Sequence, residues 1–529
     1  MNTEKTSDRS SIKKTLTVAT VIMMGSVLLS RVIGLVREQV IAIFGGTGTS
    51  IDSYVTAFFI PELLNHFLAE GFLSITFIPI FLRYWSDNDK DGAWRSFSNL
   101  FSLGTIAFCI AIPLAMIFAP QILCLLGPHI ANERTLPLTV KLTRIILPAQ
   151  LFFYWGAFFS AVQMAQHRFF IPALAPLFYN AGIIAGGIIL GSRLGVEGFA
   201  WGVLAGAFAA NVLVQLPGAI TAGMRYRWRF DVRHPDVKTF VLLSLPLIFG
   251  LGMTFSNEIF FRYFGSFLGE GATSSLNYAL RTMGMAIALF GQAWGVAFYP
   301  WLSRLAAEKK FAEISQLLDR VIARIGTFAI PIAALCIVCA TEIIRILYEH
   351  GQFTAASTAR TAPLFALYMA GSFFFSVAMF SARPFWAIQK TLPPMIVSSA
   401  VSLAVIPVYF FASRLWGAAG IASSAVCGMS LQFLIIYLLW QRRYGSAPSV
   451  LLLTRKLVTI VVITALAAAA AWFTKQEFAG FCSGLGTTVD ALFVAVFSAV
   501  PFFAVVLILY QVTGVLKVRE IIALFHRKQ

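Results

Sequence analysis

Charge is scarce in this chain, and what there is leans one way. Of 529 residues only 12% are charged, and 40 Lys and Arg stand against 23 Asp and Glu. A hydrophobic fraction of 58% and a mean hydropathy of +0.80 exceed what a soluble core absorbs, which excludes the ordinary soluble classes. The six cysteines lie in or near apolar runs. Cys336 and Cys339 form one CxxC with no second pair, which reads as packing rather than metal or redox chemistry. No glycine-rich loop with its lysine is present, so direct ATP use is not expected. The longest stretches between apolar runs are only about 20 residues, too short for a soluble domain.

What is present are apolar runs long enough to cross ~30 Å of hydrocarbon. They predict an all-α polytopic membrane protein with fourteen transmembrane helices. The spans fall near 16–44, 53–82, 96–119, 137–164, 172–191, 196–222, 239–264, 272–303, 321–340, 361–382, 393–412, 417–440, 457–474 and 488–511. No small-residue cleavage site follows a short apolar core, so the first span is expected to be retained. With both termini cytoplasmic, that side carries 27 basic residues and the other side 8. The net charge of +17 is therefore a positive-inside signal, and nucleic acid is not an expected partner.

Three stretches recur at one spacing. "FIPIFLR" (77–83) and "FYPWLSR" (298–304) align at an offset of 221, as do Pro172 in "HRFFIPA" and Pro393 in "IQKTLPP". "RLGVEGFA" (193–200) and "RLWGAAGIA" (414–422) align Arg193 with Arg414 at 221, and their downstream glycines at 222. The repeat carries spans 1–6 onto spans 7–12, which predicts two parallel-related six-helix lobes plus two extra C-terminal helices. The expected divisions are a cytoplasmic tail (1–15), an N-lobe (16–222), a C-lobe (239–440), the extra pair (457–511) and a second cytoplasmic tail (512–529).

Lys141 and Arg144, near the start of span 137–164, are counted with the adjoining loop; five basic residues then remain inside the predicted spans, all arginine: Arg31, Arg37, Arg262, Arg281 and Arg324. Arginine at mid-membrane costs roughly 2.5–3.5 kcal/mol on insertion scales, so each needs water or a partner. Arg324 lies near the cytoplasmic end and can snorkel. Glu258 precedes Arg262 by four residues, the helical pairing distance. Glu38 follows Arg31 by seven residues on nearly the same face. Arg31 and Arg37 lie ~120° apart, so one carboxylate does not easily serve both. Arg281 has no acid within four residues. Asp52, Glu62 and Glu70 add acids in span 2. Guanidinium forks match phosphate and carboxylate and stay charged when desolvated, which suggests an anionic substrate such as a diphosphate for Arg31, Arg37 and Arg281. Gly34, between the first two arginines, is a candidate hinge that would aim both inward.

"SRVIGLVREQVIAIFGG", "DSYVTAFFIPELLNHFLAEGFLSITFIPIF", "RFFIPALAPLFYNAGII", "EHGQFTAASTARTAPLFALYMAG" and "RPFWAIQKTLPP" together resemble the MurJ (MviN) lipid II flippases of the MOP exporter superfamily, over about residues 15–510. The resemblance implies two six-helix lobes with two added helices that form a groove for an isoprenoid tail. It implies a non-enzymatic transporter of the bacterial inner membrane, moving undecaprenyl-diphosphate-linked peptidoglycan precursor (lipid II) from the cytoplasmic to the periplasmic leaflet by alternating access. It also implies that Arg31, Arg37 and Arg281 contact diphosphate and headgroup. Glu38, Asp52, Asn65, His66, Glu70, Glu258 and Arg262 would shape the cavity and its gate. Membrane lipids and cell-wall synthesis proteins are the implied partners. No cofactor is expected, and membrane potential or a Na+ or H+ gradient could supply the drive.

Two departures stand out. Where the family usually has a basic pair before the glutamate of span 2, this chain has Asn65 and His66. Beside Arg281, where the family usually has acids, stand Leu280 and Gly284. A paralogue for another undecaprenyl-linked glycan (capsule, exopolysaccharide or O-antigen) is the alternative reading. A cation-coupled multidrug exporter would want acids as its dominant cavity charges. A polyprenyl-dependent glycosyltransferase would need a carboxylate site and an extramembrane domain, and a scaffold would not bury several arginines.

Overall fold

The computed structural model describes residues 25–26, 29–68, 76–126, 135–250, 252–445, 447–481 and 487–515. Every element there is helical, and nine helices among the described residues are long and apolar enough to cross a membrane. The chain divides into two compact units, Met1–Phe249 and Gly250–Gln529.

The first unit opens with α1 (29–45), followed by α2 (Thr49–Ala57) and α3 (Phe59–Leu68). Then come α4 (Ile78–Ser86), α5 (Lys90–Leu126), α6 (Leu136–Ile146), α7 (Ala149–Ala165), α8 (Phe170–Leu194) and α9 (Val196–Phe208). A π-helical turn at Ala209–Val214 leads from α9 into α10 (Gln215–Thr221), and α11 (Pro235–Gly250) closes the unit. The predicted span 53–82 is thus broken into short helices, with 69–75 outside the described residues. The predicted span 137–164 is interrupted at Leu147–Pro148, because proline at 148 has no N–H for the helical ladder.

Helices α8 and α9 pack backbone to backbone. A Cβ on Gly182 would lie 2.3 Å from the Gly206 Cα, and one on Gly186 would lie 2.5 Å from the Gly202 Cα. Glycines spaced four apart on both helices leave this contact with no side chain in the way, the small-residue device by which helices associate in lipid. Phenylalanine fills the rest: Phe77, Phe97 and Phe158 are fully buried, with Phe77 and Phe158 centroids 5.0 Å apart.

The second unit holds α12 (Gly252–Gly265), α13 (Ala272–Ala307), α14 (Phe311–Val338), α15 (Ala340–Tyr348), α16 (Ala355–Ser381) and α17 (Arg383–Ala387). It continues with α18 (Leu392–Tyr444), α19 (Ala447–Phe481) and α20 (Thr487–Thr513). A straight helix of 53 residues would be ~80 Å long, well over twice the hydrocarbon thickness. Gly417 resolves this: its φ of 56° and ψ of −133° break the helix into two membrane-length pieces. The C-terminal pair packs on α14 through Ile460, Ile463, Phe502 and Val506, with Ile330, Leu335 and Val338 against them. The Tyr510 hydroxyl donates to the Thr327 carbonyl at 3.0 Å.

The repeat is written in the backbone turns, and it corrects the register read from prolines. Asn88 and Lys309, 221 apart, have φ of 60° and 55° in matching turns: Asp89 N–H reaches the Tyr84 carbonyl as Lys310 N–H reaches that of Leu305. The next matching turn pairs His167 with Gln389, at φ of 60° and 59°, with Arg168 N–H on the Gln163 carbonyl and Lys390 N–H on that of Phe385. That offset is 222, so Pro172 corresponds to Pro394 rather than Pro393. Gly195 and Gly417, again 222 apart, share one conformation, φ 58° and ψ −134° against φ 56° and ψ −133°. The single insertion therefore lies between residues 89 and 167 rather than beside Arg193, whose counterpart is Leu415. Prolines at a helix start tolerate a shift of one position, whereas a turn's hydrogen bonds do not.

Candidate functional site

In the first unit, α1 carries two of the arginines, with Arg31 exposed and Arg37 partly buried. Arg37 donates through Nη1 to Asn180 Oδ1 of α8 at 2.9 Å and through Nη2 to Glu38 Oε1 at 2.5 Å. The pair is asymmetric, since the Arg37 side chain retains 22% exposure and that of Glu38 only 5%. The expectation set Glu38 on the face of Arg31; its carboxylate in fact turns back to the preceding residue. A long, flexible guanidinium can fold around one helical step to reach a buried acid. Asn180 went unnoticed in the sequence. Its only signal there is an amide inside the apolar run "LAPLFYNAGII", and its own Nδ2 donates to the Pro176 carbonyl at 2.9 Å.

Gly34 sits inside the continuous helical run 29–45, and a Cβ there would meet nothing within 4 Å. No neighbour demands glycine at that position. Asp52 lies in the first turn of α2, where a carboxylate complements the helix N-terminus. Asn65 is half-buried on α3, and His66, in its last turn, is buried. Glu70 lies outside the described residues.

In the second unit, a single carboxylate serves two arginines. Glu258 Oε2 is 3.5 Å from Arg262 Nη2, one turn along α12, and 3.4 Å from Arg281 Nη2 on α13. The sequence foresaw the first contact by spacing. It foresaw no acid for Arg281, because the partner comes from another helix 23 residues away. The two arginines differ in environment: the Arg262 side chain is 3% exposed and that of Arg281 36%. Beside them the Tyr409 hydroxyl donates to Asn257 Oδ1 at 3.1 Å, joining α12 to α18. Arg262 is thus held in the packing, and Arg281 is the more exposed of the two. Arg324, set aside as a snorkelling residue, is exposed.

The inference that only arginine occupies the apolar helices needs amendment. Lys475 lies within α19, donating to Glu342 Oε2 of α15 at 2.7 Å and to the Val338 carbonyl at 2.8 Å. The helix runs further than the predicted 457–474, which brings this lysine inside it. Asp319 of α14 is a second buried acid that sequence reasoning passed over. It accepts from Tyr437 Oη at 2.8 Å and Gln441 Nε2 at 2.7 Å, both of α18, and from Ser449 Oγ in the first turn of α19. No group of metal-ligating side chains occurs among the described residues.

This architecture is shared with known transporters. A structure of lipid II flippase MurJ in an inward closed conformation superposes with a TM-score of 0.77 at 22% identity, covering 93% of this chain and 99% of that one. An inward-facing multidrug resistance MATE family transporter of the MOP superfamily gives 0.65 at 13% identity, over 79% and 94%. The fold they share is that of a multi-pass, all-helical membrane protein. In sequence, the chain is 29% identical over 432 residues to the lipid II flippase MurJ of Burkholderia cenocepacia, covering 80% of this chain and 84% of that protein. It is 27% identical over 471 residues to the probable lipid II flippase MurJ of Vibrio cholerae, over 87% and 88%. Residues 41–488 match the family model for lipid II flippase MurJ. The chain belongs to the lipid II flippase MurJ family.

Proposed function

We propose that this chain moves lipid II, an undecaprenyl-diphosphate-linked precursor, from the cytoplasmic to the periplasmic leaflet of the bacterial inner membrane. The observation that carries the reading is the family match across 448 residues, from 41 to 488. Arg37 and Arg281, each partly exposed and each beside a carboxylate, supply the chemistry. A phosphorylated headgroup that displaces or joins Glu38 and Glu258 as acceptor would be bound by charge-assisted hydrogen bonds. Neutralising a dianion in this way lowers the barrier to carrying it through a low-dielectric region.

In this reading residues 16–222 and 239–440 act as the two lobes of an alternating-access cycle, and 457–511 receives the lipid tail. Both termini are cytoplasmic in this reading, which the 27-to-8 basic asymmetry supports. Asp52, His66, Asn65 and Glu70 border the path, and Gly34 lets α1 bend. The drive is membrane potential or an ion gradient. The test is rescue of wall synthesis in a flippase-depleted bacterium. The parent chain restores growth, whereas Arg37→Ala and Arg281→Ala chains reach the membrane and fail. Growth with both variants overturns the arginine assignment, and failure of the parent at normal expression overturns the lipid II reading.

A further inference from the structure

The predicted loop 223–238, which runs from the end of α10 into the first turn of α11, is the most basic of the predicted cytoplasmic loops, with Arg225, Arg227, Arg229, Arg233 and Lys238. Orientation alone asks for positive charge there but not for its arrangement. From Tyr226 to Val232 the sequence alternates, with Arg227 and Arg229 set between Tyr226, Trp228 and Phe230. Residues 224–231 form neither helix nor strand, and a turn follows at 232–233.

The strap is fastened along its inner edge. Arg227 N–H donates to Ser98 Oγ at 3.1 Å, and Ser102 and Tyr226 hydroxyls meet at 3.0 Å. Asn99 and Asp231 exchange two bonds, each of 2.8 Å, between the amide side chain and the backbone. Beyond it, Asp236 in the first turn of α11 is buried and accepts from Arg83 Nη2 at 2.8 Å and Tyr84 Oη at 2.9 Å. Ser98, Asn99 and Ser102 lie in the third and fourth turns of α5, so the strap is moored where that helix leaves its polar start. It also begins where α10 ends, which puts it at one boundary of the apolar slab.

Moored in this way, the strap nevertheless leaves large apolar rings uncovered. Trp228 is 65% exposed, Phe230 59% and Val232 60%. Arg225, Arg227, Arg229 and Arg233 are exposed as well, and Arg225 has only a loose contact of 4.0 Å with Asp91. Tryptophan and phenylalanine beside arginine, held rigidly at a helix boundary, are the composition of the membrane–water interface.

We propose that residues 224–234 form an interfacial strap that binds anionic phospholipid headgroups, its arginines on the phosphates and Trp228, Phe230 and Val232 among the glycerol and upper acyl groups. The occupant is a lipid surface rather than a protein, because exposed arginines and exposed apolar side chains alternate along the whole strap. The choice of the cytoplasmic leaflet rests on the orientation proposed above. The lipid contact does not.

The full chain, carrying a benzophenone amino acid in place of Trp228, is reconstituted in nanodiscs of phosphatidylcholine with phosphatidylglycerol and illuminated. Adducts form with lipid, and phosphatidylglycerol is enriched roughly tenfold over its bulk share, since each basic residue at an anionic surface favours it by about fivefold before salt screening. In a chain with Arg225→Gln, Arg227→Gln, Arg229→Gln and Arg233→Gln the adducts persist and the enrichment falls towards one. An unchanged melting temperature in detergent shows that this variant is folded. Equal labelling of both lipids by the parent overturns the proposal, as does the absence of lipid adducts. Capture of a second protein in native membranes, with no lipid adduct, identifies a docking surface for protein instead.

Discussion

Glu258 on α12 and Arg281 on α13 meet at 3.4 Å, and the same carboxylate oxygen lies 3.5 Å from Arg262. Three charges therefore share one junction, with Arg262 buried and Arg281 half open. Removing one partner of a buried pair leaves an uncompensated charge, which costs about 3–5 kcal/mol when burial is complete. Arg262→Gln is accordingly expected to lower the melting temperature more than Arg281→Gln. Arg281→Gln is expected to abolish growth rescue while the protein stays folded. Thermal melting in detergent beside complementation separates the two roles.

Arg37 offers one fork to two acceptors, Asn180 and Glu38. A lysine has a single ammonium and cannot reproduce that divided geometry. Arg37→Lys is expected to lose transport despite retaining charge. Asn180→Ala is expected to weaken transport by a smaller factor, because a hydrogen bond to a charged group contributes ~1.5–3 kcal/mol. Transport of a fluorescent lipid II analogue in proteoliposomes orders the variants as parent, Asn180→Ala, then Arg37→Lys.

Gly195 and Gly417 share a conformation near φ 57° that only glycine adopts without strain. Alanine at either position is expected to cost on the order of 1–3 kcal/mol. Gly34→Ala adds its Cβ to open space and should leave the melting temperature in place. If Gly34→Ala then impairs transport alone, the hinge role of that residue stands. Unchanged transport rules it out.

Asp319 holds α14, α18 and the start of α19 together through Tyr437, Gln441 and Ser449. Asp319→Ala leaves those donors without their common acceptor. Faster hydrogen exchange is expected at the beginning of α19, in residues 447–455, with α8 and α9 unaffected. Exchange followed by mass spectrometry reads both regions in one experiment.

The pairings that spacing could supply were legible, and those made by folding were not. Arg262 and Glu258 are one helical turn apart, so their contact follows from helix geometry alone. Arg281 and Glu258 are 23 residues apart, and Arg37 and Asn180 are 143 apart. No local rule joins them, because their meeting depends on how helices are packed. Asp319 and Lys475 were missed for the same reason. An acid at a predicted helix end reads as solvated until Tyr437, Gln441 and Ser449 are seen to enclose it.

By itself the sequence determined that this protein is a bundle of membrane helices built from a duplicated unit, and which family it belongs to. Those properties follow from residue composition and periodic recurrence, which survive without coordinates. Only tertiary structure decided the register of the duplication, set by turns at His167 and Gln389 rather than by prolines. It also decided which arginine is locked and which is open. Burial and carboxylate contact depend on neighbours brought in from distant helices, and a linear spacing contains no measure of that distance.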